Sequence, residues 1–259
     1  LDEGKNLLPP RERKQRKIEF IGDSFTSASG NEYPYQDVPP DVEKYTNVAE
    51  GFGPLIADHF DAQFMLSSIS GFGMVLDWEG KKINSIPNVY DRTLNVAEYP
   101  KWDFSKWIPN LVVIGLGLND YSGFGGWNGP ISEDNRELFK AEYHKFITRV
   151  FDLYPKVKIL AVAAHVTWIQ DVVKEIVKEE NEAGIKDLYY ADYPYYTGGY
   201  VNNGHPNVET HHKIAERLIS AIEKMNVWEQ HIESVEIKDV ESIKDSSDTI
   251  PKTLDQKIK

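Results

Sequence analysis

Ser24 closes the run Ile18-Glu19-Phe20-Ile21-Gly22-Asp23-Ser24, in which a short apolar segment ends on a glycine, an acid and a hydroxyl. A strand turning sharply at Gly22 would present the Ser24 Oγ at its carboxyl end. A helix starting near Ser24 would aim N–H groups at an oxyanion formed there. N-capping is the plain alternative for such a serine. Three more positions of this kind follow apolar segments. Ser70-Gly71-Phe72-Gly73 offers the Gly71 N–H or an ordinary turn, and Leu118-Asn119-Asp120 offers an amide donor or an Asx-turn. Asn203-Gly204-His205-Pro206-Asn207 brings an imidazole to the entrance of a helix. A serine, a base to take its proton and donors for a tetrahedral oxyanion are the requirements of acyl transfer.

Those residues act together only if the fold brings them to one edge. Short apolar, β-branched runs at 18–22, 64–69, 111–116, 157–164 and 188–191 predict five buried strands. Between them, apolar spacing of three and four predicts helices at 48–60, 134–153, 169–183 and 208–225. Alternating strands and helices predict a parallel, doubly wound sheet covered on both faces, with ligands outside the carboxyl ends of the strands. One domain at 18–227 is expected, preceded by a charged linker at 1–17 and followed by a charged appendage at 228–259.

Composition narrows the function. Of the 259 residues, 41 are acidic and 29 basic, a net charge of −12 that opposes a broad phosphate-binding surface, so no nucleic-acid partner is expected. No apolar run reaches the roughly 20 residues that cross a bilayer and no leader pattern opens the chain, so a mature protein without membrane insertion is expected. The absence of cysteine excludes disulfides, thiolate zinc sites and a cysteine nucleophile. A secreted or periplasmic setting is expected, with the cytoplasm as the alternative. No phosphate-cradling glycine loop follows a strand, and no cofactor is expected. Nor is a metal: His205, Glu209 and His212 have helix-like spacing, but Pro206 interrupts them.

In their order along residues 18–225, Ser24, Gly71, Asn119 and His205 resemble the four blocks of the SGNH, or GDSL, hydrolase superfamily. The resemblance implies a three-layer α/β/α sandwich with a five-stranded parallel sheet in flavodoxin-like order. It also implies Ser24 as nucleophile, His205 as base, and an oxyanion hole from Ser24, Gly71 and Asn119. Further runs are similar to carbohydrate esterase family 2, the acetyl esterases of plant polysaccharides: Ser70-Gly71-Phe72-Gly73-Met74, Trp102-Asp103-Phe104-Ser105, and His205-Pro206-Asn207 with Thr210-His211. That family usually carries a β-sandwich before the hydrolase domain, where this chain shows a linker. Its usual Gly-Thr-Asn-Asp block reads Gly117-Leu118-Asn119-Asp120 here.

The superfamily places an aspartate three residues before the histidine, and here that position is Asn202. The resemblance therefore favours a Ser-His dyad with a main-chain carbonyl, although Asn202 itself or Asp192 could orient His205. The glycine-rich loop 121–132, with Tyr121 and Trp127, is expected to shape the pocket, and Trp127 and Trp168 offer flat faces to a sugar or to the core. The implied reaction removes acetyl groups from an acetylated oligo- or polysaccharide such as xylan or mannan. Two alternatives stay open: a lipid-directed esterase or thioesterase, and a catalytically silent sugar-binding module. Nothing in the sequence specifies the oligomeric state.

Overall fold

A computed structural model of the chain describes residues 12–94 and 97–228. Five strands form one parallel sheet: β1 (Arg16–Gly22), β2 (Ala62–Ser68), β3 (Leu111–Gly115), β4 (Lys158–Ala163) and β5 (Leu188–Asp192). Their order, β2-β1-β3-β4-β5, is the expected flavodoxin-like one. Around the sheet lie α1 (Phe52–His59), α2 (Ile86–Val89), α3 (Leu118–Gly123), α4 (Glu133–Leu153), α5 (Thr167–Glu182) and α6 (Val208–Glu223).

The central strands are buried on both faces, which is why they read as continuous apolar runs rather than alternating ones. Phe20 of β1 meets Phe52 of α1 edge to face at 6.2 Å, and α1 packs on α6 to make one outer layer. On the other side α4 packs on α5, which lies against β4 and β5. Phe139, Tyr143, Phe146, Ile147 and Val150 line the inner face of α4, and Ile169, Val172, Val173 and Ile176 that of α5. Burying each such side chain contributes roughly 1.5–3 kcal/mol relative to leaving it exposed. Among the described residues, no helix is long and apolar enough to cross a membrane.

Several local expectations change. β1 starts at Arg16, two residues before the predicted strand, and the Arg16 guanidinium donates to Phe60 O at 2.8 Å. Trp228, assigned by sequence to the appendage, packs on Phe60 at 5.8 Å and under Arg16 at 5.3 Å. Residues 1–11 and 229–259 lie outside the described residues. The helix expected at 48–60 is broken at Gly51 into a short 3-10 turn and α1. No α-helix follows Ser24 either. Residues 24–32 form consecutive turns in which Ala28 and Gly30 take left-handed φ values of 54° and 64°, which a right-handed helix does not tolerate.

The strand register sets the site's frame. Gly22 pairs with Ser68 on one side and Gly115 on the other, so β1, β2 and β3 end level. The chain runs from β1 outward to β2, then crosses to β3 on the other side of β1. That reversal opens a crevice between the carboxyl ends of β1 and β3. Gly22 is required at this edge because a Cβ there would lie 2.0 Å from Thr26 Oγ1, where the following turn folds back over the strand.

Candidate active site

Ser24, Gly71, Asn119 and His205 line one cleft of about 640 Å³ at this crevice, together with His165, Trp78, Trp127, Tyr195 and Tyr200. Each arrives by a different local device. Ser24 sits two residues beyond β1, in a turn closed by Ser27 N–H to Asp23 O and Ser29 N–H to Ser24 O, both at 3.0 Å. The Asp23 carboxylate also accepts Phe25 N–H at 3.0 Å. Local side-chain acceptors of this kind, with Ser, Thr and Gly in the run, favour turns over a helix.

Asp120 anchors the Gly71 turn. Its fully buried carboxylate accepts Met74 N–H at 2.8 Å, Val75 N–H at 2.6 Å and Leu76 N–H at 3.0 Å. A Cβ on Gly73 would come within 2.4 Å of Asp120 Oδ2, so the residue passing this carboxylate must be glycine. Immediately before Asp120, Asn119 faces the cleft, and its Nδ2 donates to Phe72 O at 2.9 Å and to Asp23 Oδ2 at 3.2 Å. The first three blocks are thereby joined by hydrogen bonds. Burial pushes both carboxyls up, Asp23 to about 7 with help from the Asp120 charge, and Asp120 to about 6 against the pull of its three N–H donors.

His205 opens the second strand of an antiparallel hairpin, β6 (Tyr200–Val201) and β7 (His205–Pro206). The loop between them holds three successive left-handed residues: Asn202 at φ 40°, Asn203 at 54° and Gly204 at 91°. Asparagine and glycine are the residues that occupy this region most readily. This path turns the Asn202 carbonyl onto His205, with Nδ1 2.5 Å from Asn202 O. A carbonyl only accepts, so Nδ1 carries the proton and the neutral ring keeps its lone pair on Nε2. Burial lowers the His205 pKa below its ordinary value, and the Asn202 carbonyl opposes that only in part. The ring is therefore neutral at pH 7 with a basic Nε2.

The two side chains considered as orienters are occupied elsewhere. Asn202 Nδ2 donates to Ser29 O at 3.0 Å. Asp192 accepts Tyr190 O–H at 3.0 Å and pairs with Arg217, in a separate depression on the β5 side. The aromatic expectations divide similarly. Trp127 lines the cleft and is 61% exposed. Tyr121 lies in α3 rather than in a loop and supports Trp127 edge to face at 4.8 Å. Trp168 packs against Phe139 at 5.3 Å and Phe124 at 6.3 Å, on the core rather than in the cleft. Of the imagined metal ligands, His212 pairs with Glu50 at 2.8 Å and Glu209 with Lys213 at 2.6 Å.

Sequence reasoning missed Trp78 and Tyr200, whereas Tyr195 belongs to an aromatic run, 189–196, whose flat faces suit a sugar or the core equally. Trp78 is 58% exposed, and its indole edge lies 3.0 Å from where a Gly71 Cβ would stand. Tyr195 and Tyr200 stack nearly parallel with centroids 4.6 Å apart, and His165 meets both rings at 5.1 Å. The aromatic run at 189–196 signals Tyr195 alone, since Tyr200 lies beyond its end.

A family model for GDSL-like lipase/acylhydrolase matches residues 18–218. The cellulase/esterase CelE of Acetivibrio thermocellus is 31% identical over 233 residues, covering 87% of this chain and 27% of that protein. An acetylxylan esterase / glucomannan deacetylase of Cellvibrio japonicus is 38% identical over 133 residues, 51% of this chain and 36% of its own length. The chain thus spans about a quarter to a third of these two curated relatives. The solved structure of a family two carbohydrate esterase from Clostridium thermocellum in complex with cellohexaose superimposes with a TM-score of 0.75 at 30% identity, covering 85% of this chain and 67% of that one. On the match over residues 18–218, which contains all four blocks, the chain belongs to the GDSL-like lipase/acylhydrolase family, among the family 2 carbohydrate esterases.

Proposed function

We propose that the chain is a serine esterase that removes acetyl groups from carbohydrate. The observation that carries this reading is the Asn202 carbonyl on His205 Nδ1, which leaves Nε2 as a base in the cleft that Ser24 lines. Ser24 Oγ attacks the acetyl carbonyl carbon as its proton passes to His205 Nε2. The resulting oxyanion is received by the N–H groups of Ser24 and Gly71 and by Asn119 Nδ2. Collapse breaks the bond to the sugar oxygen, which leaves with the proton from His205. A water activated by the same imidazole then hydrolyses the acetyl-serine. No carboxylate is needed to fix the tautomer, because the main-chain acceptor already does so.

Carbohydrate as substrate is supported by the acetylxylan and glucomannan names of the relatives and by the cellohexaose bound to a solved one. The exposed rings of Trp78, Trp127 and Tyr195 suit the C–H faces of sugars. Turnover of p-nitrophenyl acetate and octanoate, followed by acetate release from acetylated xylan and glucomannan, tests the reading. It requires acetyl over octanoyl preference and acetate release that disappears in Ser24→Ala. Octanoyl preference would support a lipid-directed esterase instead, and no turnover at all a silent binding module.

A further inference from the structure

Asn119 presents a difficulty for an oxyanion donor, because neither of its amide hydrogens is idle at rest. One is held by Phe72 O at 2.9 Å and the other by Asp23 Oδ2 at 3.2 Å. The two bonds are unequal. An amide N–H···O bond spans about 2.7–3.2 Å with a mode near 2.9–3.0 Å, so the contact with Asp23 lies at the long end of that range. A donor hydrogen in a long contact can be shared with a second acceptor. Asp23 is itself fixed, with Oδ1 receiving Phe25 N–H at 3.0 Å and the carboxyl wholly buried.

We propose that Asp23 is a positioning residue for the oxyanion hole, holding the Asn119 amide plane against Phe72 while leaving its second hydrogen to be shared with the developing oxyanion. The inference rests on reading Asn119 as an oxyanion donor. In its ionised form, reached above a pKa that burial raises to about 7, Asp23 offers an acceptor on each side, one for Phe25 and one for Asn119. An asparagine at 23 has a single acceptor oxygen, so one of those two N–H groups must face another donor.

The test is a double-mutant cycle on an acetyl ester. Asp23→Asn is expected to lower kcat about tenfold or more with KM within about twofold, whereas in an Asn119→Ala background it changes kcat by less than about twofold. Equal losses in both backgrounds, or an unchanged kcat in the single variant, overturn the proposal. Were Asn119→Ala alone harmless, the oxyanion reading would fall first and this inference with it. A crystal structure of the unmutated protein with Ser24 phosphonylated decides the matter even if Asp23→Asn does not fold. Asn119 Nδ2 is expected within hydrogen-bond distance, ~3 Å, of both the phosphonyl oxygen and Asp23 Oδ2. An amide swung away from Asp23 refutes the positioning role.

Discussion

Replacing Asn202 separates the work of its carbonyl from that of its side chain, and two substitutions do so cleanly. Asn202→Gly removes the amide that donates to Ser29 O but tolerates the left-handed φ of 40°. Asn202→Ala removes the same amide and adds left-handed strain of about 1–2 kcal/mol. The lost hydrogen bond costs about 1 kcal/mol in either variant. The expected destabilisation is then about 1 kcal/mol for glycine and about 2–3 kcal/mol for alanine. At about 2–4 °C per kcal/mol for a domain of this size, melting temperature should fall by about 2–4 °C and about 4–12 °C respectively. Catalysis should hardly follow stability, since both variants keep the carbonyl on His205 Nδ1. Their kcat should stay within about tenfold of the parent, about 1.4 kcal/mol in barrier, while His205→Ala loses several orders of magnitude. Were the side chain the orienting group, the loss would approach the 10⁴ or so known for a triad aspartate. Calorimetry and acetyl-ester kinetics measure both quantities. A thousandfold loss in Asn202→Gly, with melting lowered only as expected, would refute the main-chain dyad.

Ser24→Ala should abolish measurable turnover with little change in melting, whereas Asn119→Ala should lower kcat by roughly 10²–10³; losses under fivefold in the latter mean that its amide serves elsewhere. Asp192→Ala should cost less than about tenfold, because that carboxylate is committed to Tyr190 and Arg217. A thousandfold drop would restore a displaced triad. Because burial lowers the His205 pKa and the base must be neutral, the acid limb of kcat/KM should show an apparent pKa below 6.5; a midpoint at 7 or above contradicts the carbonyl-only support. Buried His211 has its pKa pushed down to about 3, so the unfolded chain takes up a proton near 6.5 that the folded one refuses. The stability this residue contributes is complete above that pH and is lost as pH falls toward 3. Urea midpoints between pH 8 and 5 should therefore fall less steeply in His211→Asn, and parallel curves count against the assignment.

The central strands were legible because a parallel sheet between two helical layers leaves few buried positions that tolerate a polar residue. Glu19 is the buried exception within β1, and it survives there by accepting Ser67 O–H at 2.6 Å and Tyr90 O–H at 3.0 Å. The long helices were legible from their stripes. Less readable was whatever depends on conformation rather than polarity. A helix after Ser24 is excluded by the left-handed Ala28 and Gly30, whose φ values no polarity pattern specifies. Asn202 looked like a missing acid, whereas the fold uses its backbone and selects asparagine for a left-handed position. The helix containing Asn119 and Tyr121 was hidden by the glycines that follow it. Trp127 and Trp168 are chemically alike, and only packing sends one to the cleft and the other to the core. The positions of the four block residues were all in the sequence; the hydrogen bonds joining Asp23, Asn119 and Phe72 were not, since residues so far apart carry no shared periodicity.

Asn119 and Asp120 are neighbours in the chain, yet one faces the cleft and the other clamps the peptides of Met74, Val75 and Leu76. The spacing between the Gly71 turn and the Asn119 amide is consequently set across a single peptide unit. Beyond the clamp Trp78 lines the cleft, and Asp77 then folds the chain over by accepting Lys81 N–H at 2.8 Å and Asn84 Nδ2–H at 2.7 Å. Length changes after Asn84 would leave both Trp78 and the Asn119 amide where they are. The architecture thus ties the Gly71 turn and the Asn119 amide to one carboxylate while Trp78 is carried on a separate turn, so that, on the proposed function, the wall that meets the sugar can change without moving the oxyanion donors.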